Sequence, residues 1–204
     1  MQKDYKQASA WFEELYKENY KQNENIPWAS MQGNPHLLKY MKENTELGKC
    51  LVVGCGLGDD AHMLAQAGYD VTAIDISDSA IKWCKERFDG ICIEFLVQDV
   101  FELPDSLRGE FDFVFESLTI QSLPREFREE IINAISSLLS KDGKILVIAH
   151  GIDEDKNPKG PPWPMKRSEF KHFTDLGLQE LELKTIEEKT KVSSFKFYAL
   201  YRKK

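Results

Sequence analysis

Three glycines at alternate positions carry the first chemical signal in this 204-residue chain: Gly54, Gly56 and Gly58, within "LVVGCGLGDD". An apolar run that breaks into a glycine turn and then a helix is how a backbone receives a nucleotide-like ligand. Residues without a Cβ let the chain turn sharply and approach closely. The spacing here is GxGxG. The dinucleotide fingerprint GxGxxG requires its third glycine at position 59, which is Asp59. Asp59 and Asp60 open the following helix, where carboxylates suit the helix dipole but repel a pyrophosphate.

A cofactor without phosphate and with a positive centre fits that loop better. S-adenosylmethionine, an adenosine and an amino acid joined through a sulfonium, is such a molecule. Other polar residues stand where strands should end. Asp75 closes "DVTAID", where a carboxylate can accept both ribose hydroxyls, a contact that serves NAD equally. Asp99 follows "IEFLVQ", with a turn or cap role as its ordinary alternative. Glu116 and Ser117 close "FDFVFES", where a plain polar strand end is the alternative. His150 ends "DGKILVIAH" and is a candidate base, although a lone histidine there more often makes a local hydrogen bond. Trp28 and Trp163 lie in loops; core burial is the ordinary role, and cation–π attraction to a sulfonium is the functional one.

Elements must position these groups. "SAWFEELYKENY" has helical spacing, and "NPHLLKYMKEN" starts a helix with Asn34 as cap and Pro35 at its first position. From Lys49 onward strand and helix alternate: "KCLVVGC", buried on both faces; "DDAHMLAQA", stopping at Gly68; "DVTAIDI"; "SDSAIKWCKERF"; "IEFLVQD"; "FDFVFESLT"; "REFREEIINAISSLLS", with Phe127, Ile131, Ile135 and Leu138 on one face; and "DGKILVIAH". A proline-rich loop runs from Gly151 to Arg167. The closing segments "LQELELKTIEE" and "SSFKFYALYRK" alternate with period two, as an antiparallel pair does. The alternation predicts a parallel sheet with helices on both faces.

Composition narrows the function classes. The net charge of −7 argues against a nucleic-acid backbone as partner. No apolar run is long enough for a membrane span, and the polar N-terminus does not read as a secretion signal. Cys50, Cys55, Cys84 and Cys92 form no CxxC pair and no zinc-like spacing, so no metal site is expected. They read as small buried thiols in a reducing, cytoplasmic setting.

From Lys49 onward the chain resembles the class I S-adenosylmethionine-dependent methyltransferases. "VVGCGLGDD", "AIDIS", "VQDV", "FDFVFES" and "LPREFREEIINAISSLLSKDGKILVIA" match their motifs in order. The Trp-containing "IPWAS" and the "GPPW" segment are similar to the small-molecule branch that acts on thiopurines, halides and tellurite. The resemblance implies a Rossmann-like α/β fold: a seven-stranded, mostly parallel sheet with one antiparallel strand from a C-terminal hairpin. It further implies one domain over 1–204, with 1–48 as a helical lid. Its implied cofactor residues are Gly54, Cys55, Gly56 and Gly58 in the loop, Asp75 on the ribose, and Ile76, Asp99 and the Val100 backbone at the adenine. Glu116, Ser117 and Trp28 follow toward the methionine end, and Trp163 and His150 face the acceptor. One departure is Val52, where many members carry an acid. "PPW" at Pro161–Trp163 stands in the wrong place for the (N/D)PP(Y/F/W) motif of base and amide methylation, which follows strand four.

The implied reaction is in-line methyl transfer to a small acceptor through S, O or N. Alignment alone can supply about 7–11 kcal/mol, so no catalytic triad is required; His150 and Glu116 are the candidate bases. An NAD-dependent oxidoreductase, a non-catalytic cofactor- or partner-binding module, and a protein side-chain methyltransferase are the alternatives. Oligomeric state is not readable from the sequence.

Overall fold

The computed structural model describes residues 5–204, so the first four residues of the 1–48 segment lie outside the described residues. Helices α1 (Tyr5–Glu18) and α2 (Pro35–Glu43) open it. At α2, Asn34 Oδ1 accepts from His36 N at 2.9 Å and Pro35 takes the first helical position, as its sequence predicts. The described residues form two compact units that divide between Glu102 and Leu103.

The first unit continues through β1 (Lys49–Val53), α3 (Asp59–Gln66), β2 (Asp70–Asp75), α4 (Asp78–Arg87) and β3 (Ile93–Val97). β1 is buried from Cys50 to Val53, which is why it reads as unbroken apolar sequence. Gly68, at φ 98°, supplies the left-handed residue just beyond α3. Ser77 Oγ caps α4 by accepting from Ala80 N at 3.0 Å. The three strands are parallel in the order β3-β2-β1, with Val53 beside Ile74 and Asp75 beside Val97. Their carboxyl ends therefore align. Tyr16, Ile26, Leu57, Ala80 and Trp83 form a core that ties α1 to α4 and the glycine loop.

The second unit contains β4 (Phe111–Ser117), α5 (Arg128–Ser137), β5 (Leu139–Ile152), β6 (Met165–Lys166), α6 (Lys171–Asp175), β7 (Gln179–Glu187) and β8 (Phe195–Arg202). Its strand order is β4-β5-β8-β7, with β6 pairing parallel to β5. β8 is antiparallel to both neighbours, as the period-two pattern predicts. Phe127, Ile131, Ile135 and Leu138 are all buried, so the apolar face of α5 lies where its periodicity puts it.

Three features depart from the sequence reading. β6 is an additional strand of two residues, formed where the end of the proline-rich loop returns to Gly151 and Ile152. β5 begins at Leu139, and its register against β4 jumps from Phe111–Leu139 to Phe113–Lys144, with Asp142 left-handed at φ 63° in the extra length. Cys92 is exposed and Cys55 half-buried, while Cys50 and Cys84 are buried, so only two of the four thiols match the buried expectation.

Candidate functional site

In the first unit the sequence-predicted loop and carboxylates converge at the carboxyl ends of three strands. Cys55 N continues the ladder by donating to Ile74 O at 2.9 Å, and Gln98 N donates to Asp75 O at 2.9 Å. Open α/β sheets bind their ligands at such an edge. Gly54, Gly56 and Gly58 all have positive φ, at 61°, 54° and 82°. Asp75 is almost fully buried at 8 % exposure; Gly56 N donates to its Oδ2 at 2.9 Å and Ser77 N to its Oδ1 at 3.0 Å. The carboxylate thus locks the glycine turn, with the Ile76 backbone also hydrogen-bonded to it. Burial raises its pKa to about 6, against those backbone hydrogen bonds and with help from the Glu13 charge. Ile76, immediately beyond it, is 37 % exposed and therefore not a core residue.

Asp99 and Val100 are half-buried. Asp99 Oδ1 accepts from Phe101 N at 2.9 Å, which makes the turn role real and sets Val100 in the middle of the turn. The Cys55 thiol meets Cys84, whose Sγ donates to Gly56 O at 3.1 Å. That contact, then burial, pushes the Cys55 thiol well above its usual range. Asp59 pairs with Arg87 at 2.7 Å and 3.1 Å, and Arg87 also donates to Leu57 O. Its charge is compensated, so repulsion of phosphate at this helix start is weaker than the sequence alone indicates. Asp60 Oδ1 accepts from Asn34 N at 2.6 Å, tying the start of α2 to the start of α3.

α1 covers this edge. Trp28 is 37 % exposed, which sets aside core burial, and its Nε1 donates to buried Tyr16 Oη at 2.7 Å. Trp11, Phe12 and Tyr16 all place rings edge-on to Trp28, with centroids 5.7–5.9 Å away. Glu13 accepts from Ser77 Oγ at 2.6 Å and from Ser79 N and Oγ at 3.1 Å and 2.7 Å. Neither Tyr16 nor Glu13 stands out in the sequence. Their spacing on an amphipathic helix is the only signal, and it does not say what the helix packs on.

The second unit holds the remaining candidates. Glu116 is fully buried; Oε1 accepts from Ile120 N at 2.9 Å, and Oε2 has no hydrogen-bond partner among the described residues. Burial raises its pKa to about 7, opposed by the Ile120 and Thr119 backbone and by Arg128. Ser117 is half-buried, and Leu118 after it is left-handed at φ 69°, a costly conformation for leucine that aims the chain away from the strand.

His150 is nearly buried, with Nδ1 unpartnered and its backbone N donating to Gln121 Oε1 at 2.6 Å. Burial lowers its pKa to about 4, with Lys196 adding to the effect and Glu188 opposing it. Trp163 is half-buried and fixed through its main chain: its N donates to Gln121 O at 2.7 Å, and its O accepts from Arg128 Nη2 at 3.0 Å. Buried Arg128 also donates to Ile120 O, and Glu169 takes Arg128 at 3.2 Å and Arg125 at 2.6 Å. Arg125, Arg128, Gln121 and Glu169 are thus the supports of Glu116, His150 and Trp163 that the sequence did not reveal.

Among the described residues no group of three or more His, Cys, Asp or Glu side chains could hold a metal ion, and no helix is long and apolar enough to cross a membrane.

The chain is similar to several known proteins. Thiocyanate methyltransferase 1 of Arabidopsis thaliana is 27 % identical over 155 residues, which cover 73 % of this chain and 66 % of that protein, a little under two thirds of its length. A probable thiopurine S-methyltransferase of Yarrowia lipolytica is 25 % identical over 172 residues, covering 74 % of this chain and 78 % of that one. The solved structure of the 1,6-didemethyltoxoflavin-N1-methyltransferase of Burkholderia thailandensis, with bound 1,6-didemethyltoxoflavin and S-adenosylhomocysteine, shares the fold. Its TM-score is 0.73 at 16 % identity, over 100 % of this chain and 91 % of that one. The fold is therefore the Rossmann-like one of S-adenosylmethionine-dependent methyltransferases. With the thiopurine S-methyltransferase (TPMT) family model matching residues 12–199, the glycine loop, the strand-end acids and the antiparallel strand β7 all fall inside one match, and the chain belongs to that family.

Proposed function

We propose that this protein transfers a methyl group from S-adenosylmethionine to a small-molecule nucleophile, with sulfur the first acceptor atom to test. The observation that carries the reading is the Asp75 carboxylate, held against the glycine turn by Gly56 N and Ser77 N at the carboxyl end of β2. The residues suit such a cofactor. Asp75 offers a carboxylate oxygen to a ribose hydroxyl, exposed Ile76 offers an apolar face beside it, and exposed Trp28 offers an aromatic face suited to a cation. When bound, the cofactor supplies a methyl group already activated by its sulfonium. The chain's own work is to orient the reactants, exclude water and, where the acceptor needs it, take up a proton.

Glu116 suits that last role better than His150. A carboxyl near 7 is matched to neutral pH, whereas an imidazole near 4 is a weak base there. A thiol ionises readily enough to need little help, and the names of the relatives (thiocyanate, thiopurine) support sulfur. Asp99, Val100, Ser117, Cys55 and Trp163 are proposed to complete the cofactor and acceptor contacts. The four free cysteines support a reducing, cytoplasmic location, and the charge of −7 supports a partner other than nucleic acid.

Thermal unfolding with S-adenosylhomocysteine and, separately, with NAD tests the reading. Ligand at 100 times its dissociation constant stabilises by about 2.7 kcal/mol. A shift with the first alone is expected, followed by turnover with small thiols. A shift with NAD alone overturns the cofactor assignment. A shift with S-adenosylhomocysteine but no turnover on thiols, phenols or amines favours a non-catalytic module.

A further inference from the structure

We infer that Glu13, on α1, is a positioning residue for the cofactor, acting through Ser77 on Asp75. The inference rests on the cofactor reading above. Glu13 accepts three hydrogen bonds, from Ser77 Oγ at 2.6 Å, Ser79 N at 3.1 Å and Ser79 Oγ at 2.7 Å. Ser77 is fully buried and works in three directions. Its hydroxyl donates to Glu13, the same oxygen accepts from Ala80 N at 3.0 Å, and its backbone N donates to Asp75 Oδ1 at 3.0 Å. One residue, through its hydroxyl on one side and its backbone N on the other, therefore links a carboxylate on α1 to the carboxylate proposed to hold the ribose. The opposite oxygen of Asp75 holds Gly56 N at 2.9 Å, so the glycine turn lies on the same chain of contacts. Docking of α1 and the geometry of the cofactor carboxylate form one unit.

The electrostatics run along the same path. Burial pushes Glu13 upward, but the bonds from Ser77 and Ser79, with Lys17 nearby, outweigh it and hold the carboxyl below its usual value. Glu13 is therefore an anion at neutral pH, and its charge is one of the influences that raise Asp75. The other titratable groups facing Asp75 are Tyr16 from α1 and Cys55 from the glycine loop. Each loses a proton only well above its ordinary range, so Glu13 is the neighbouring group that carries charge at neutral pH. Such a link predicts two separable effects: loss of the hydrogen bonds loosens Asp75, and loss of the charge alone lowers its titration.

Two variants separate these effects. Glu13→Gln keeps the shape and one acceptor oxygen, enough for Ser77 Oγ and Ser79 N, while the Ser79 hydroxyl can rotate to accept from the amide nitrogen; Glu13→Ala removes every bond. In the ligand-free protein, the Asp75 carboxyl is titrated by ¹³C NMR in wild type and Glu13→Gln. Affinity for S-adenosylhomocysteine is measured by calorimetry in all three proteins, and KM and kcat by methyl transfer. The expected result is a lower Asp75 midpoint in Glu13→Gln with affinity within about threefold of wild type. Glu13→Ala should weaken cofactor binding about tenfold and raise the cofactor KM in proportion, while kcat changes little. An unchanged Asp75 midpoint, or a Glu13→Ala protein that binds as tightly as wild type, overturns the inference. Equal losses of kcat and affinity with a depressed melting temperature also overturn it, since that is mere structural damage. Failure of wild type to bind S-adenosylhomocysteine sinks the cofactor reading instead, and the ligand-free titration still decides whether Glu13 acts on Asp75.

Discussion

Trp28 and Tyr16 share a hydrogen bond of 2.7 Å directly over Gly56, where a Cβ would lie 3.0 Å from the tyrosine oxygen and 3.9 Å from the indole nitrogen. The aromatic pair and the glycine turn are thus fitted to each other, and a side chain at position 56 would strain both.

Gly56→Ala should therefore lose S-adenosylhomocysteine binding by tenfold or more and cost about 1–2 kcal/mol from its left-handed φ of 54°. Gly109→Ala is the control. Its φ of 72° is equally left-handed, but a Cβ there meets nothing within 4 Å, so stability should fall with cofactor affinity unchanged. Calorimetry and denaturant unfolding on both proteins check the contrast.

The Trp28–Tyr16 bond itself is measurable by a double-mutant cycle with Trp28→Phe and Tyr16→Phe. The two losses of stability should be non-additive by about 0.5–1.5 kcal/mol, since each change removes the same bond. Strict additivity in urea unfolding would show that the contact contributes nothing.

Glu116 gives the clearest pH prediction. Its value of about 7 lies above the ordinary 4.5, so its contribution to stability is complete below 4.5 and is lost as pH rises through 7. Glu116→Gln, which mimics the protonated form, should raise the melting temperature at pH 8 and leave it nearly unchanged at pH 4.5, a difference of at most about 3 kcal/mol. If the residue is also the base, kcat for a neutral acceptor should rise with pH through about 7 in wild type and fall about 100-fold in the variant.

Glu169 binds Arg125 and Arg128 together, and Arg128 in turn holds Trp163 O and Ile120 O. Glu169→Ala leaves a buried guanidinium without its carboxylate and should cost about 3–5 kcal/mol. Where the protein still folds, the acceptor KM should rise while affinity for S-adenosylhomocysteine stays constant.

Thiol labelling of the native protein should show one fast site, exposed Cys92, and a slower one at half-buried Cys55. Cys50 and Cys84 should react only on unfolding. Four slow sites would contradict the burial seen here.

The order of strands and helices was legible because each element repeats its own period: buried β1, the Asn34–Pro35 helix start, and the apolar face from Phe127 to Leu138. The loop and Asp75 were legible because local sequence fixes where a strand stops. What escaped were pairings across long sequence separations. Glu13 meets Ser77 and Arg128 meets Trp163, 64 and 35 positions apart, and no periodicity on either element encodes its partner. Cys92 misled for a related reason, since a short apolar stretch next to a strand does not say which way the turn faces. The phosphate argument from Asp59 stood on its charge alone, and Arg87 reaches it from another helix.

One consequence concerns how the chain is made. β8, the last described strand to be synthesised, lies inside the strand order between β5 and β7. Until it docks, β5 keeps an edge open and β7 has no partner. The edges that β8 covers are open to pairing with other chains until then. Refolding at rising protein concentration should therefore lose soluble yield without altering the stability of the molecules that finish.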